Sequence, residues 1–309
     1  MLEDGLVEMD PEEKVLIVYN PTSGLAIHGY VWNYIHSYLK SHKINFEPFY
    51  TSGESSLREV IQEKINHGCT RFLVAGGDGT VSLVADALLG TNYPLAIIPI
   101  GTGNLLAREL HIPLAINKSL KLAISKNPSI RSIDGMKVNE QRIFLLNISA
   151  GISPELFQKT NMQEKRLLGR LIYVINFIKI VAHLELSKIK FEYDGFKQSK
   201  YATEVIISNS KILAFPPFLW QEDSSLDDGK LGFHMIRALQ FSDVIKFALS
   251  LSIFPKTIQP EVNYFEIKNY IEVKSTKPLK IQADGDYIGV TPIRIDLVRN
   301  ACNIIIPPK

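Results

Sequence analysis

Cysteine is almost missing from this chain: 309 residues hold only Cys69 and Cys302. Two thiols make neither a disulfide framework nor a zinc cluster, so a reducing, cytosolic compartment is expected. A clean membrane-spanning run is also missing. The longest apolar stretch, LLGRLIYVINFIKIVAHL (167–184), is interrupted by Arg170, Asn176, Lys179 and His183, so contact with a bilayer is expected to be peripheral. The opening MLEDGLVEMDPEEK lacks the basic start and apolar centre of a secretory signal. No internal repeat or low-complexity tract occurs. The seven histidines are scattered without metal-ligand spacing and receive no role. Net charge is small, at +2, but uneven. Residues 1–13 hold six acids and no base, leaving 34 basic against 26 acidic residues elsewhere. That excess fits phosphates or a membrane surface, and it equally fits scattered solvated lysines.

What is present is an alternation. KVLIVYN (14–20), INFEPFYT (44–51), RFLVAGG (71–77) and LAIIPIG (95–101) read as strands. Between and after them, residues 27–42, 54–68, 80–90 and 104–110 have helical spacing, with Gly68 and Gly90 as stop signals. The pattern predicts an α/β, Rossmann-like domain with a parallel sheet, whose ligands bind beyond the carboxyl ends of the strands. After about residue 130 strand-like segments dominate, among them RIFLLNISA, ATEVIISNS, KLGFHMIRAL, YFEIKNYIEVKS and LKIQADGDYIG. They predict a second, mainly antiparallel β-sandwich domain, with helices only at about 154–185 and 242–252. The expected division is an acidic tail (1–13), a nucleotide-binding domain (14–130), a β-rich domain (131–295), and a last strand (296–309) that returns to the first.

Three glycine loops follow first-domain strands: NPTSG (20–24), GGDGT (76–80) and PIGTGN (99–104). Glycine permits positive φ and close approach of a ligand, and a loop that opens a helix presents N–H groups to phosphate. No P-loop pattern occurs, and the dinucleotide fingerprint is met only in part, by GDGTVS and GTGNLL. An aspartate among phosphate-binding amides calls for a cation or a proton-transfer role. Mg²⁺ meets that need and points to a nucleotide and phosphoryl transfer. ADGDY (283–287) and LDDGKL (226–231) read equally well as tight hairpin turns.

GGDGT, preceded by NPTSG and followed by PIGTGN, resembles the catalytic domain of diacylglycerol and sphingosine kinases, with the nearest likeness to bacterial soluble lipid kinases. SIDGMKVN (132–139), NISAGI (147–152), VIISNS (205–210), LDDGKLGFHMI (226–236) and IQADGDYIG (281–289) extend the resemblance over nearly the whole chain. GGDGT is shared with NAD kinases. The third loop running into NLLAREL, with LDDGKL and DGD downstream, separates the two groups.

The resemblance implies an ATP site in a cleft between the domains, built from Asn20, Thr22, Ser23, Gly24, Thr51, Gly76, Gly77, Asp78, Gly79, Thr80 and Thr102. It implies Asp284 as the base for a lipid hydroxyl. Asp286, Asp78 and Asp134 would form an acid–water–Mg²⁺ network, and a structural Mg²⁺ would sit at Asp228 and the backbone near Lys230. A lipid at a membrane surface is the implied partner, with a homodimer possible and no nucleic acid. The enzyme would work in the cytoplasm against the inner membrane face, using the basic apolar segment 161–186 and FPPFLW (215–220), which read equally well as a core helix and a packed loop. Ser82, Leu105, Asp286 and Phe215–Trp220 depart from the family pattern. Two other functions stay open: a NAD kinase-like enzyme, and a nucleotide- or lipid-binding regulator with impaired catalysis.

Overall fold

The computed structural model describes Met9 and residues 13–24, 29–51, 56–151, 185–213, 218–219, 224–237 and 262–308. The expected helices at 154–185 and 242–252, the segment 161–186 and the stretch Phe215–Trp220 lie almost wholly outside these residues. No helix among the described residues is long and apolar enough to cross a membrane. The chain divides into two compact units. The first holds the residues up to Gly135 and those from Arg299, and the second runs from Met136 to Val298 apart from residues 214–217.

The first unit contains β1 (Lys14–Tyr19), α1 (Tyr30–Ser41), β2 (Asn45–Tyr50), α2 (Leu57–Asn66), β3 (Cys69–Gly76), α3 (Asp78–Ala87), β4 (Pro94–Pro99), α4 (Leu105–Glu109) and α5 (Ile116–Ala123). The strands pair in parallel in the order β2-β1-β3-β4. Strand β1 is buried from Val15 to Tyr19 and β4 from Leu95 to Pro99. Unbroken apolar runs of this kind are what a parallel sheet covered on both faces demands. Helix α1 buries Val31, Ile35 and Leu39, one stripe at a spacing of four. Ser56 caps α2, its Oγ accepting the Glu59 N–H at 3.4 Å. Gly68 and Gly90 follow α2 and α3 with φ of 87° and 81°, the left-handed stop the sequence predicts. Helix α5 lies beyond the alternation that the sequence predicts. Buried Arg71 fastens its end, donating to the carbonyls of Ala123 (3.1 Å) and Ser125 (2.7 Å). A cation suits that site, because the carbonyl end of a helix is negative. Both cysteines are free and buried, and burial pushes the Cys302 thiol up to about 12.

Most of the remaining strands belong to the second unit. They are β5 (Ser129–Val138), β6 (Arg142–Phe144), β7 (Asn147–Gly151), β8 (Ser187–Tyr193), β9 (Phe196–Ala202), β10 (Glu204–Ser208), β11 (Ile212–Leu213), β12 (Phe218–Leu219), β13 (Leu231–Ile236), β14 (Val262–Ile267), β15 (Tyr270–Ser275), β16 (Lys280–Ala283), β17 (Asp286–Val290) and β18 (Ile293–Ile306). One antiparallel sheet has the order β14-β13-β10-β7-β16-β17. A second layer pairs β9, β8, β15 and the start of β18, also antiparallel. The end of β18 runs parallel to β4 in the first unit through Asn303 and Ile304. Ile148, Val205, Phe233 and Ile281 of the six-stranded sheet meet Ile189, Phe191, Ile271 and Ile293 of the other layer in one core. Each strand offers alternate residues to it, as a sandwich requires.

Two segments read as single strands are broken in the structure. RIFLLNISA divides into β6 and β7 at Leu145–Leu146, and YFEIKNYIEVKS divides into β14 and β15 at Lys268–Asn269. Both breaks have the same cause. Asp194 and Asp284 each open an Asp-Gly turn, with φ of 47° and 46°, and each carboxylate accepts three consecutive backbone N–H groups from a break. Asp194 takes those of Lys268 (2.7 Å), Asn269 (2.9 Å) and Tyr270 (3.2 Å). Asp284 takes those of Leu145 (2.8 Å), Leu146 (3.1 Å) and Asn147 (2.9 Å). Desolvation alone would raise the Asp194 carboxyl, but the three donors outweigh it and hold the group below its ordinary range.

Asp194→Asn places an NH₂ group against donors and is expected to cost about 1–3 kcal/mol, read from urea unfolding midpoints. Because the folded value is depressed, the stability Asp194 supplies is present above the ordinary carboxylate range. It is lost as the pH falls through the folded value.

Candidate functional site

The phosphate-loop residues come together in the first unit, at the carboxyl ends of β1 to β4. After β1, Asn20 folds back on its own loop. Its Oδ1 accepts the Thr22 N–H (3.0 Å) and hydroxyl (2.8 Å), while its Nδ2 donates to Thr80 Oγ1 (2.8 Å). Ser23 Oγ accepts the Gly77 N–H at 3.3 Å. The Thr51 N–H, following β2, donates to the Tyr19 carbonyl at 3.0 Å. Side chains of the first loop thus hold the second loop in place, and Thr51 lies beside the end of β1.

Glycine is required here for a reason other than the expected one. Gly24, Gly76, Gly77 and Gly101 do not have positive φ. Their need is close contact, between loops at Gly24, Gly77 and Gly101 and with Thr80 of the same loop at Gly76. A Cβ on Gly24 would come within 2.7 Å of the Ile100 carbonyl oxygen, and one on Gly101 within 2.4 Å of Gly77 Cα. A Cβ on Gly76 would fall 2.6 Å from that of Thr80. At Gly24 and Gly101 backbone meets backbone, and at Gly76 the Thr80 side chain already fills the space, so no side chain fits. The left-handed residue is instead Asn104, at φ 50°. Its amide bridges the third loop, accepting the Gly101 N–H and donating to the Gly101 carbonyl, both at 2.9 Å. Arg108 Nε donates to the Gly103 carbonyl at 2.9 Å. Neither residue was singled out in the sequence, although asparagine's tolerance of left-handed backbone is a usable signal. Thr102 is exposed on the same loop.

Helix α3 begins at Asp78, two residues earlier than the apolar spacing suggests, so Asp78, Gly79 and Thr80 form its first turn. Their N–H groups have no partner within the helix by geometry, and the dipole adds positive potential there. Asp78 Oδ1 accepts the Leu106 N–H at 3.1 Å, which ties α3 to the start of α4. Burial pushes the Asp78 carboxyl above its ordinary value, against the opposing hydrogen bonds from Leu105 and Leu106. A carboxylate oxygen is a hard donor of the kind a divalent ion takes. Ser82, on the same helix, is buried.

The other acids stand on other elements. Asp134, on β5, is buried in the first unit and accepts the Asn300 N–H at 2.9 Å. Asp228 closes the turn before β13, taking the N–H groups of Ser225 and Lys230, both at 3.0 Å. Lys230 Nζ pairs with Glu266 at 2.9 Å. The LDDGKL segment is therefore a carboxylate-held turn. Asp286 is half-exposed, 3.5 Å from Arg142. Among the described residues, no group of three or more His, Cys, Asp or Glu is placed to hold a metal ion.

Two family models match. One is the diacylglycerol kinase catalytic domain, over residues 14–138. The other is the YegS C-terminal NAD kinase beta sandwich-like domain, over residues 147–306. A diacylglycerol kinase of Bacillus subtilis is 25% identical, across 96% of this chain and 97% of its own. A Serratia proteamaculans protein named "Probable lipid kinase YegS-like" is 27% identical, across 81% of this chain and 80% of its own. A crystal structure of a diacylglycerol kinase from Bacillus anthracis superposes with a TM-score of 0.75 at 24% identity, covering 96% and 98% of the two chains. At that identity the likeness concerns the fold.

Gly101→Ala is expected to destabilise the first unit by about 1–3 kcal/mol through overpacking against Gly77, seen as a lowered melting temperature. Asp78→Asn keeps the Oδ1 acceptor for Leu106 and removes a buried charge. The folded state binds the Asp78 proton more tightly than the unfolded chain. This group's contribution to stability therefore falls as the pH rises above the ordinary carboxylate range. The Asn variant should melt at or above the wild-type temperature at neutral pH, and the difference should vanish toward about pH 4.

Proposed function

We infer that this chain, which belongs to the diacylglycerol kinase family with its YegS-type C-terminal domain and is a lipid kinase, transfers the γ-phosphate of ATP, with Mg²⁺, to a hydroxyl of a diacylglycerol-like or sphingoid lipid. The observation that carries this reading is the interlocking of three loops around the first turn of α3. Asn20, Ser23, Gly24, Gly77, Thr80 and Gly101 are fixed against one another by their own contacts. A pre-set array of backbone N–H groups at a helix start binds and orients phosphates without reorganising.

In this reading the first-turn amides of α3 and the Asn20–Gly24 loop take the nucleotide phosphates. Thr51 and Thr102 lie at the edges of that site. Asp78 is the side chain that would hold the metal. The metal would neutralise charge on the transferring phosphoryl oxygens. Asp284 accepts the proton of the lipid hydroxyl as its oxygen bonds to the γ-phosphorus and the bond from that phosphorus to the β–γ bridging oxygen breaks, releasing ADP. Its three N–H donors fix the carboxylate's orientation, so the base is rigid although it sits on a turn. Transfer requires the hydroxyl at Asp284 to meet the γ-phosphate held by the loops. Asp134 and Asp286 are assigned to the acid–water–metal network, and Asp228 with the Lys230 backbone to a structural metal. The enzyme meets its lipid at the cytoplasmic face of the membrane, with residues 161–186 as the basic apolar contact.

Asp194 provides an internal control. It makes the same three-donor clasp and has no place in this chemistry. Labelled γ-phosphate transfer from ATP·Mg²⁺ to lipids in mixed micelles, with NAD as a parallel acceptor, should give a labelled lipid. Asp284→Asn and Asp194→Asn should lower stability to a similar degree. Only Asp284→Asn should lose activity, by about a hundredfold or more. Full activity in Asp284→Asn would remove the assigned base, and labelled NADP would replace the lipid with the dinucleotide as acceptor.

A further inference from the structure

The layer formed by β9, β8, β15 and β18 has an outer face that the proposed chemistry does not use. Ile189 and Phe191 of β8, and Ile271 and Val273 of β15, point into the sandwich core. Lys188, Lys190 and Glu192 of β8, and Glu272 and Lys274 of β15, therefore point outward. The strand registers set these residues in rows across the sheet. In one row Lys197 of β9, Glu192, Glu272 and Arg294 of β18 are successive neighbours. In the next row the neighbours are Ser199 of β9, Lys190 and Lys274. Beyond that, Tyr201 faces Lys188.

Both rows place like charges directly opposite each other, which destabilises a sheet unless counter-charges are supplied. The glutamate row has its own. Lys197 Nζ lies 3.3 Å from Glu192, and Arg294 Nη1 lies 3.1 Å from Glu272. The lysine row is different. Ser199 carries no charge, and the pairing of β15 with β18 ends at Val273, one residue short of Lys274. Among the described residues, Lys274 pairs only with Glu272, at 3.5 Å, an acid that Arg294 already engages, and Lys188 and Lys190 pair with no acid. Lys188, Lys190, Ser199 and Lys274 line a depression of about 500 Å³ on this face. Opposed Lys190 and Lys274 are about 5 Å apart at Cβ, and Lys188 lies about 7 Å along β8 from Lys190. Three ammonium groups and a hydroxyl around one open space lack an anion of high charge density. A phosphate monoester supplies about −1.5 to −2 and three acceptor oxygens, which matches three lysines that share one acid. A phosphodiester supplies a single charge.

We propose that Lys188, Lys190 and Lys274, with Ser199, form a binding site for a phosphate monoester, additional to the phosphate loops of the first unit. The group can be carried by a lipid head group or by a free ester. Tyr201, 56% exposed beside Lys188, has the apolar body and polar tip that suit the head-group level of a bilayer. The product of the reaction proposed above carries this same group, so the site holds the enzyme where product has accumulated. That link rests on the lipid kinase reading, and the binding itself does not.

The test has two arms, both on the full chain without nucleotide. In the first, the protein is sedimented with phosphatidylcholine vesicles that carry phosphatidic acid, a monoester, or phosphatidylglycerol, a diester, at matched surface charge. In the second, its thermal shift is read with glycerol 3-phosphate against sodium chloride at equal ionic strength. The wild type should bind the monoester vesicles more tightly than the diester vesicles. Lys190→Gln and Lys274→Gln should each weaken monoester binding about fivefold. Lys190→Arg should retain it, and Lys118→Gln, on exposed α5, should change nothing. The phosphate loops are the same in every variant, so a difference belongs to the sheet face. The free Gln variants should melt at or above the wild-type temperature, because one of two opposed like charges is gone. A loss in the vesicle arm alone assigns the site to a lipid head group, and a loss in the thermal arm alone assigns it to a free ester. A loss in both assigns it to the phosphate group from either source. A loss in neither arm overturns the proposal, as does a loss that Lys118→Gln matches. Equal losses for monoester and diester vesicles, with none in the thermal arm, reject the monoester. If the kinase assay yields no labelled lipid, the lipid kinase reading falls while these binding differences stand.

Discussion

Carboxylates that hold backbone N–H groups are the interaction on which both units depend. A β-rich chain must turn often, and every turn and strand break leaves peptide donors without partners. Here acids supply the missing acceptors. Asp284 takes three donors at the β6–β7 break, and Asp194 takes three between β14 and β15. Asp228 closes its turn with two, Asp134 holds the Asn300 N–H, and Asp78 holds the Leu106 N–H. Charge-assisted bonds of this type are stronger than neutral ones, and in a partly buried setting they fix local geometry closely.

The same device explains why acids in this chain carry two readings at once. ADGDY is a tight Asp-Gly turn and also the site of the assigned base. These readings do not compete, because the turn sets the carboxylate's position and the clasp sets its orientation. Asp194 shows that the clasp alone is structural. Chemistry has to come from what surrounds Asp284.

Much of the fold could be read from the sequence because its determinants are local. KVLIVYN and LAIIPIG are continuous apolar runs, as strands buried on both faces must be, and Gly68 and Gly90 mark helix ends through a backbone conformation that glycine favours. The loops were legible as glycine clusters, but not the reason for them. Gly24 and Gly101 are needed because two loops distant in sequence touch, and no local pattern encodes that contact. The breaks at Leu145–Leu146 and Lys268–Asn269 were hidden for the same reason. Each depends on a carboxylate far away in the chain, 139 residues from Leu145 in the case of Asp284. The end of helix α5 is held by Arg71 of β3, a contact that no local pattern encodes.

The backbone contact among the glycine loops also limits how this scaffold can be altered. Gly24 abuts Ile100 and Gly101, and Gly101 abuts Gly77, so the first loop seats against the third and the third against the second. Loops that touch through bare backbone have no side chains to absorb a change of shape. Grafting one loop from another nucleotide-binding protein would present its neighbours with a surface they cannot accommodate. The three loops, with Asn20, Ser23 and Asn104 that tie them, therefore form a single exchangeable cassette, and redesign of nucleotide preference has to move them as one part.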